Sequence, residues 1–206
     1  TLIKFFDRYF GNVLCNFLGL FKRNIPGESI VIEDKKTNKI LLIQLWGIGE
    51  TILILPSITS LRERYPKAQI YVLATSRNYD VFFNNKNITN VIKIGLSPFS
   101  ILGFIIKNIK KYDLVIDMEE YLNISAIISF FTGKKAVGYS HNSRAKLYTS
   151  KVKYNDKQHV VQTFLDLVRV LDINYDVKKL PSLNFSKNDK RHVSNFLKEN
   201  NVKETD

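Results

Sequence analysis

The run Ile40 to Leu45, in which Gln44 is the single polar residue, leads through Trp46 into Gly47-Ile-Gly49-Glu50. An apolar stretch this continuous reads as a strand covered by helices on both faces, as in a parallel sheet. The two glycines can adopt positive φ and allow close approach to the backbone, so the turn would present N–H groups and a helix start to a crevice. Such a place binds anions and phosphates. The carboxylate it carries, Glu50, could take a proton from an attacking hydroxyl, or could merely complement the positive end of its helix.

Ligands of open α/β sheets bind beyond the carboxyl ends of the strands, and that rule selects the other candidates. They are Thr75 to Arg77, Asp117 to Glu120 and Ser140 to Arg144. Arg77 is either a ligand contact or a surface residue. Asp117 is either a ligand contact or a cap or turn residue, and Glu119 and Glu120 are expected to be solvated. His141 and Arg144 could hold a phosphate, which arginine binds in bidentate fashion, or belong to an ordinary exposed loop. His159 is expected to make a structural hydrogen bond at a helix start.

Other chemistries lack their residues. His141, His159 and His192 with the distant Cys15 show no zinc spacing, so no metal site is expected. Gly138-Tyr-Ser140-His-Asn142 lacks the final glycine of a nucleophile elbow, and no Walker A sequence occurs. The Gly47 turn lacks the third glycine of a dinucleotide fingerprint, and Thr75, Ser76 and Arg77 stand where a ribose-binding acid would follow the second strand.

The elements that must position these groups alternate as in a doubly wound α/β sheet. Strands are predicted at Ile40 to Leu45, Gln69 to Leu73, Val91 to Ile94, Leu114 to Ile116 and Ala136 to Tyr139. Helices are predicted at Glu50 to Arg64, Asn78 to Asn84, Pro98 to Lys110, Leu122 to Phe131, Gln158 to Leu171 and Lys187 to Glu199. Pro56 lies too deep for a first-turn proline, so a kink or restart is expected there.

The first 23 residues stand apart. On a helix of about 100° per residue, Leu2, Ile3, Phe6, Tyr9, Phe10, Val13, Leu14, Phe17, Leu20 and Phe21 share one broad stripe, with Lys4, Arg8, Asn12 and Lys22 opposite. Charges interrupt the segment, and neither a membrane span nor a signal peptide is expected. Two readings remain: an anchor at an anionic membrane surface, or a helix folded onto its own or another domain. Residues 1–38 are therefore read as this helix and a linker, and 39–206 as a Rossmann-like domain.

Taken in order, several of these pieces resemble the start of the heptosyltransferases, glycosyltransferase family 9. They are Gly47, Gly49 and Glu50, an apolar helix with Pro56, and Arg62, Arg64, Tyr65 and Pro66 at its end. Further along come Ala68 to Leu73, Tyr112 to Asp117, Ala136-Val-Gly-Tyr139, and the helix opened by His159 with Phe164, Leu165, Leu167, Val168 and Leu171. The resemblance spans roughly residues 39 to 200, and it departs at Glu50, where the family usually has aspartate. It implies the acceptor half of a two-domain GT-B enzyme, whose second, donor-binding domain would follow this chain. The implied reaction is inverting transfer of a sugar from a nucleotide-sugar donor such as ADP-heptose to a phosphorylated glycan or glycolipid acceptor, with no metal or other cofactor. Glu50 would be the base, Gly47 and Gly49 would face donor phosphates, and Arg77, Asp117, Glu120, His141 and Arg144 are acceptor candidates. A binding module without catalysis and a nucleotide-dependent oxidoreductase are the rival readings.

Composition agrees with anionic partners. Lys plus Arg number 31 against 19 Asp plus Glu, a formal net charge of +12. The lysines are spread rather than gathered with aromatics, so nucleic acid is not the expected partner. The one cysteine excludes an internal disulfide and points to a reducing compartment, with the cytoplasm, or the inner face of the cell membrane, as the expected address. The chain alone is expected not to transfer sugar, because a bilobed enzyme assembles its site between its domains.

Overall fold

The computed structural model describes residues 7–21, 37–177, 180–200 and 202. Six parallel strands form one sheet: β1 (Lys39–Ile43), β2 (Gln69–Ala74), β3 (Asn90–Lys93), β4 (Tyr112–Asp117), β5 (Gly133–Tyr139) and β6 (Ser150–Val152). Their spatial order is β3-β2-β1-β4-β5-β6, the doubly wound arrangement with its reversal between β1 and β4. The five predicted strands are present. The sixth, Ser-Lys-Val, is too short and polar for periodicity to reveal, and is held by pairing of Val137, Gly138 and Tyr139 with Ser150, Lys151 and Val152.

Both faces of the sheet are covered, which is why its central strands are apolar throughout. Ile40 and Leu42 of β1 point into one core half, shared with Leu55, Ile58 and Leu61 of α3 (Leu55–Arg64) and with Phe164, Leu165 and Val168 of α6 (Val160–Arg169). Leu41 and Ile43 point into the other, with Ile101 and Ile105 of α4 (Pro98–Lys107), Ala126 and Ile127 of α5 (Asn123–Thr132), and Cys15. The expected break at Pro56 is present: α2 (Ile48–Leu53) ends at Ile54, and α3 begins with proline in its first turn. A last helix, α7 (Lys187–Glu199), closes its start with a capping box between Ser186 and Asp189.

Cys15 belongs to the N-terminal helix, a π-helical turn Asp7–Gly11 continued by α1 (Asn12–Phe21). This helix is docked on the domain, but through the side opposite its aromatic stripe. Gly11, Cys15 and Gly19, four residues apart, form a ridge of small residues toward α5 and the turn at 143–147. A Cβ at Gly11 would lie 2.7 Å from the Cβ of Asn123, and one at Gly19 would lie 2.9 Å from that of Lys146. Asp7 completes the docking. The N-cap of α5, Leu122, has no side-chain acceptor, and the Asp7 carboxylate accepts the N–H groups of Asn123 at 2.9 Å and Ile124 at 2.8 Å. A carboxylate there meets orphan donors and the positive helix end together. Of the expected linker, residues 24–38, all but residues 37 and 38 lies outside the described residues.

Gly11→Val should therefore lift α1 from α5 at a cost of about 1–3 kcal/mol, as overpacking does. Hydrogen exchange would report it as lost protection at the Asn123 and Ile124 amides, with the sheet unaffected.

Candidate functional site

Gly47 takes φ 76° and ψ 119° at the start of α2, a conformation that favours glycine. It is needed for a second reason. The Glu50 carboxylate folds back over the Gly47 Cα, so any side chain at 47 would occupy the same space. Gly49 differs: a Cβ there meets nothing within 4 Å, so the protein's own packing does not demand glycine. Glu50 itself is exposed in the first turn of α2.

A buried polar lattice fixes this turn. Asn78, 1% exposed, donates through Nδ2 to the Gln44 carbonyl at 2.8 Å and to Thr51 Oγ1 at 2.9 Å. Thr51 Oγ1 in turn donates to the Gly47 carbonyl at 2.5 Å, and Thr75 Oγ1 donates to the Leu45 carbonyl at 3.0 Å. From the other side, Glu119 Oε1 accepts the N–H of Leu45 at 2.5 Å and of Trp46 at 2.9 Å. The expectation that Glu119 is solvated is corrected: it is 6% exposed. Burial outweighs those hydrogen bonds and raises its carboxyl from the ordinary 4.5 to about 8, with Asp117 pushing the same way.

Asp117 and Arg144 are also buried, both at 0% exposure, and pair with each other at 2.8 Å. Asp117 Oδ2 further accepts from Ser125 Oγ at 2.8 Å and Tyr148 Oη at 2.5 Å, while Oδ1 accepts the Glu119 N–H at 3.1 Å. Neither is placed to meet an acceptor directly. For Asp117 the turn-residue reading holds. For Arg144 the exposed-loop expectation is corrected, because Tyr148 and Asp117 draw the guanidinium inward.

His141 Nε2 donates to the Glu120 carbonyl at 2.6 Å, and its ring lies among Tyr121, Tyr139 and Tyr154. Burial lowers its pKa and favours the neutral ring, and Nδ1 is buried with no hydrogen-bond partner among the described residues. Glu120 is half-buried and accepts from Tyr154 Oη at 2.7 Å. Exposed Arg77 stacks its guanidinium 4.3 Å from the Trp46 ring centre. His159 caps α6, its Nδ1 accepting the Val161 N–H at 3.3 Å, as expected.

A cavity of about 650 Å³ lies at this end of the sheet. Trp46, Glu50, Glu119 and Glu120 line it, joined by Asn142 and Ser143. Arg77 and His141 are not part of its lining but contact residues that are, Arg77 stacking on Trp46 and His141 bonding the Glu120 carbonyl. One wall was not foreseen: Asp7, Arg8 and Asn12, from the N-terminal helix. The missed signal was the Gly11, Cys15, Gly19 spacing, which marks a docking ridge opposite the stripe.

Arg144→Met would strand Asp117 in the interior, and urea unfolding should show a loss of about 3–5 kcal/mol, the usual result of breaking a buried pair. Adding Asp117→Asn should recover part of it. Glu119 makes a second expectation. Its folded form keeps a proton at pH values where the unfolded form has lost it, so its contribution to stability is complete below about pH 4.5 and is lost as pH rises through about 8. Glu119→Gln keeps an acceptor for Leu45 and Trp46 and cannot ionise. The melting temperature of the variant, relative to the parent, should rise steadily from pH 5 to pH 9.

The sequence model of Glycosyltransferase family 9 (heptosyltransferase) matches residues 105–203. Solved structures share the fold. A glycosyl transferase family 9 protein from Veillonella parvula superposes with a TM-score of 0.71 at 17% identity, over 82% of this chain and 52% of its own. For the E. coli ADP-heptose LPS heptosyltransferase II the values are 0.62 and 18%, over 77% and 50%. For E. coli heptosyltransferase WaaC with ADP they are 0.57 and 16%, over 68% and 49%. The chain thus spans about half the length of these structures. No curated protein matches it. The matched segment is just under half of the chain, and within it the chain is similar to glycosyltransferase family 9, while the six-stranded parallel sheet shares the fold of these structures.

Proposed function

We propose that this chain is the acceptor side of an inverting glycosyltransferase that moves a sugar from a nucleotide-sugar donor to a phosphorylated glycan or glycolipid. The observation that carries the reading is Glu50: a carboxylate held over Gly47 beyond the carboxyl end of β1 and facing a cavity large enough for a sugar. The nature of the donor is supported by WaaC, which has been solved with ADP and with ADP-2-deoxy-2-fluoro heptose. ADP-heptose is accordingly the donor to test first.

In this reading Glu50 accepts the proton of the acceptor hydroxyl as its oxygen attacks the anomeric carbon, and the nucleotide diphosphate leaves from the opposite side. The open space at Gly49 lets donor phosphates approach the backbone N–H groups of the turn. Arg77 and Trp46 form a rim on which a sugar ring can stack, and Glu120, with Asn142 and Ser143, offers hydrogen bonds to acceptor hydroxyls. His141, Asp117 and Arg144 act behind this layer, holding the loops that carry it.

A positioned base contributes about 10² to 10⁴ in rate. In the full-length enzyme Glu50→Gln should therefore lower kcat by that factor, with little change in donor affinity or melting temperature. Glu50→Asp withdraws the carboxylate by one methylene and should retain partial activity, since a misplacement of about 1 Å can cost on the order of 10²-fold. Steady-state kinetics with ADP-heptose and a lipopolysaccharide-type acceptor measure both; wild-type turnover by Glu50→Gln would remove Glu50 from the role.

A further inference from the structure

The docking of α1 leaves its other side uncovered by the described residues. Val13, Leu14, Phe17, Leu20 and Phe21 are 69%, 41%, 55%, 80% and 68% exposed, and Phe17 and Phe21 stack edge to face at 5.0 Å. The helix cannot simply roll to hide them. Gly11, Cys15 and Gly19 fit a surface too close for larger residues, and Asp7 is committed to the start of α5.

Charge and continuity say what this face is suited to meet. α5 packs beside α1 and α4 alike, so the three helices form one layer, and α4 adds Phe99, Leu102 and Ile106 at 87%, 55% and 61% exposure. No Asp or Glu occurs from Arg8 to Phe21, from Lys93 to Tyr112, or from Tyr121 to Asn155. Those stretches carry the exposed Lys107, Lys110, Lys111 and Lys146. The opposite layer is different, with Glu63 on α3 and Asp166 on α6. Among the described residues no helix is long and apolar enough to cross a membrane. Aromatics and leucines on a short helix, surrounded by lysines and free of acids, are the composition of a segment that lies in the headgroup region of an anionic bilayer.

We infer that α1 is an interfacial membrane-binding helix, with Phe17, Leu20 and Phe21 entering the lipid and the acid-free helical layer of α1, α4 and α5 facing anionic headgroups. This inference does not rest on the catalytic reading. It is tested with the 206-residue chain and vesicles of phosphatidylcholine alone or with a quarter phosphatidylglycerol. The chain should float with the anionic vesicles, bind neutral ones at least 10-fold more weakly, and release as salt is raised to 0.5 M. The variant Phe17→Ser/Leu20→Ser/Phe21→Ser should lose at least 10-fold in binding while keeping the circular dichroism and melting temperature of the parent, because the three positions are exposed. Should that variant unfold, Leu20→Glu alone serves, with the same loss expected. Binding that is absent, or unchanged in the folded variant, would overturn the inference. So would sedimentation showing a lipid-free dimer that the substitutions dissociate, since the stripe would then be a contact between copies.

Discussion

At the carboxyl end of β4 a carboxylate and a guanidinium, Asp117 and Arg144, are both wholly out of water. Charges in such a place are tolerated only when each is paired and hydrogen-bonded, so the segments that bring partners have little freedom to move elsewhere. Ser125 ties in the first turn of α5, Tyr148 ties in the segment leading to β6, and the Glu119 N–H fixes the direction of the loop after β4. The remaining geometry follows outward from there. The loop so directed delivers Glu119 to the N–H groups of Leu45 and Trp46, which sets the exit of β1, and that exit sets Gly47 and Glu50. On the other side, α5 and the 143–147 turn are the surface on which α1 docks. A wholly buried ion pair thus governs both the candidate site and the helix beside it.

The acids at this end of the sheet are sorted by environment. Asp117 is engaged by Arg144, Ser125 and Tyr148, and Glu120 by Tyr154. Glu119 is buried against backbone donors and tends to keep its proton near neutral pH. Glu50 alone of this group is exposed, carried on a turn whose shape is fixed from below. A general base needs access to its substrate, and under the proposed function Glu50 is the one of these four acids that offers it. Keeping Glu119 protonated also leaves one negative charge fewer beside the cavity.

The fold was legible because strands buried on both faces must be apolar and helices between them must show a 3.6-residue stripe; those signals survive in a single sequence. The break at Pro56 and the cap at His159 were legible for the same reason, each resting on local backbone chemistry. Glu119, Asp117 and Arg144 were not, since their roles depend on which loops meet after folding, and a charged residue in a loop carries no sign that its partner waits 27 positions away. The Gly11, Cys15, Gly19 ridge was present in the sequence. It was masked by the far louder stripe of aromatics on the other side of the same helix, and hydrophobic periodicity alone assigns the core to the more apolar face.

That reversal has a physical cause. An apolar stripe seeks the core only if the core offers a surface shaped for it, and here the surface of α5 is close-fitting, with Asn123 and the stem of Lys146 in contact. Small residues can enter such a surface; Phe17 and Leu20 cannot. Docking by the ridge also adds two charge-assisted hydrogen bonds from Asp7 to α5, which no apolar face could supply. The same few residues then serve the cavity, because Arg8 and Asn12 lie within two turns of Asp7 and line it. At about 1.5 Å of rise per residue, Asn12 and Phe21 are separated by only about 14 Å along the helix. A surface that meets the aromatic end of α1 is therefore close to the cavity wall at its other end.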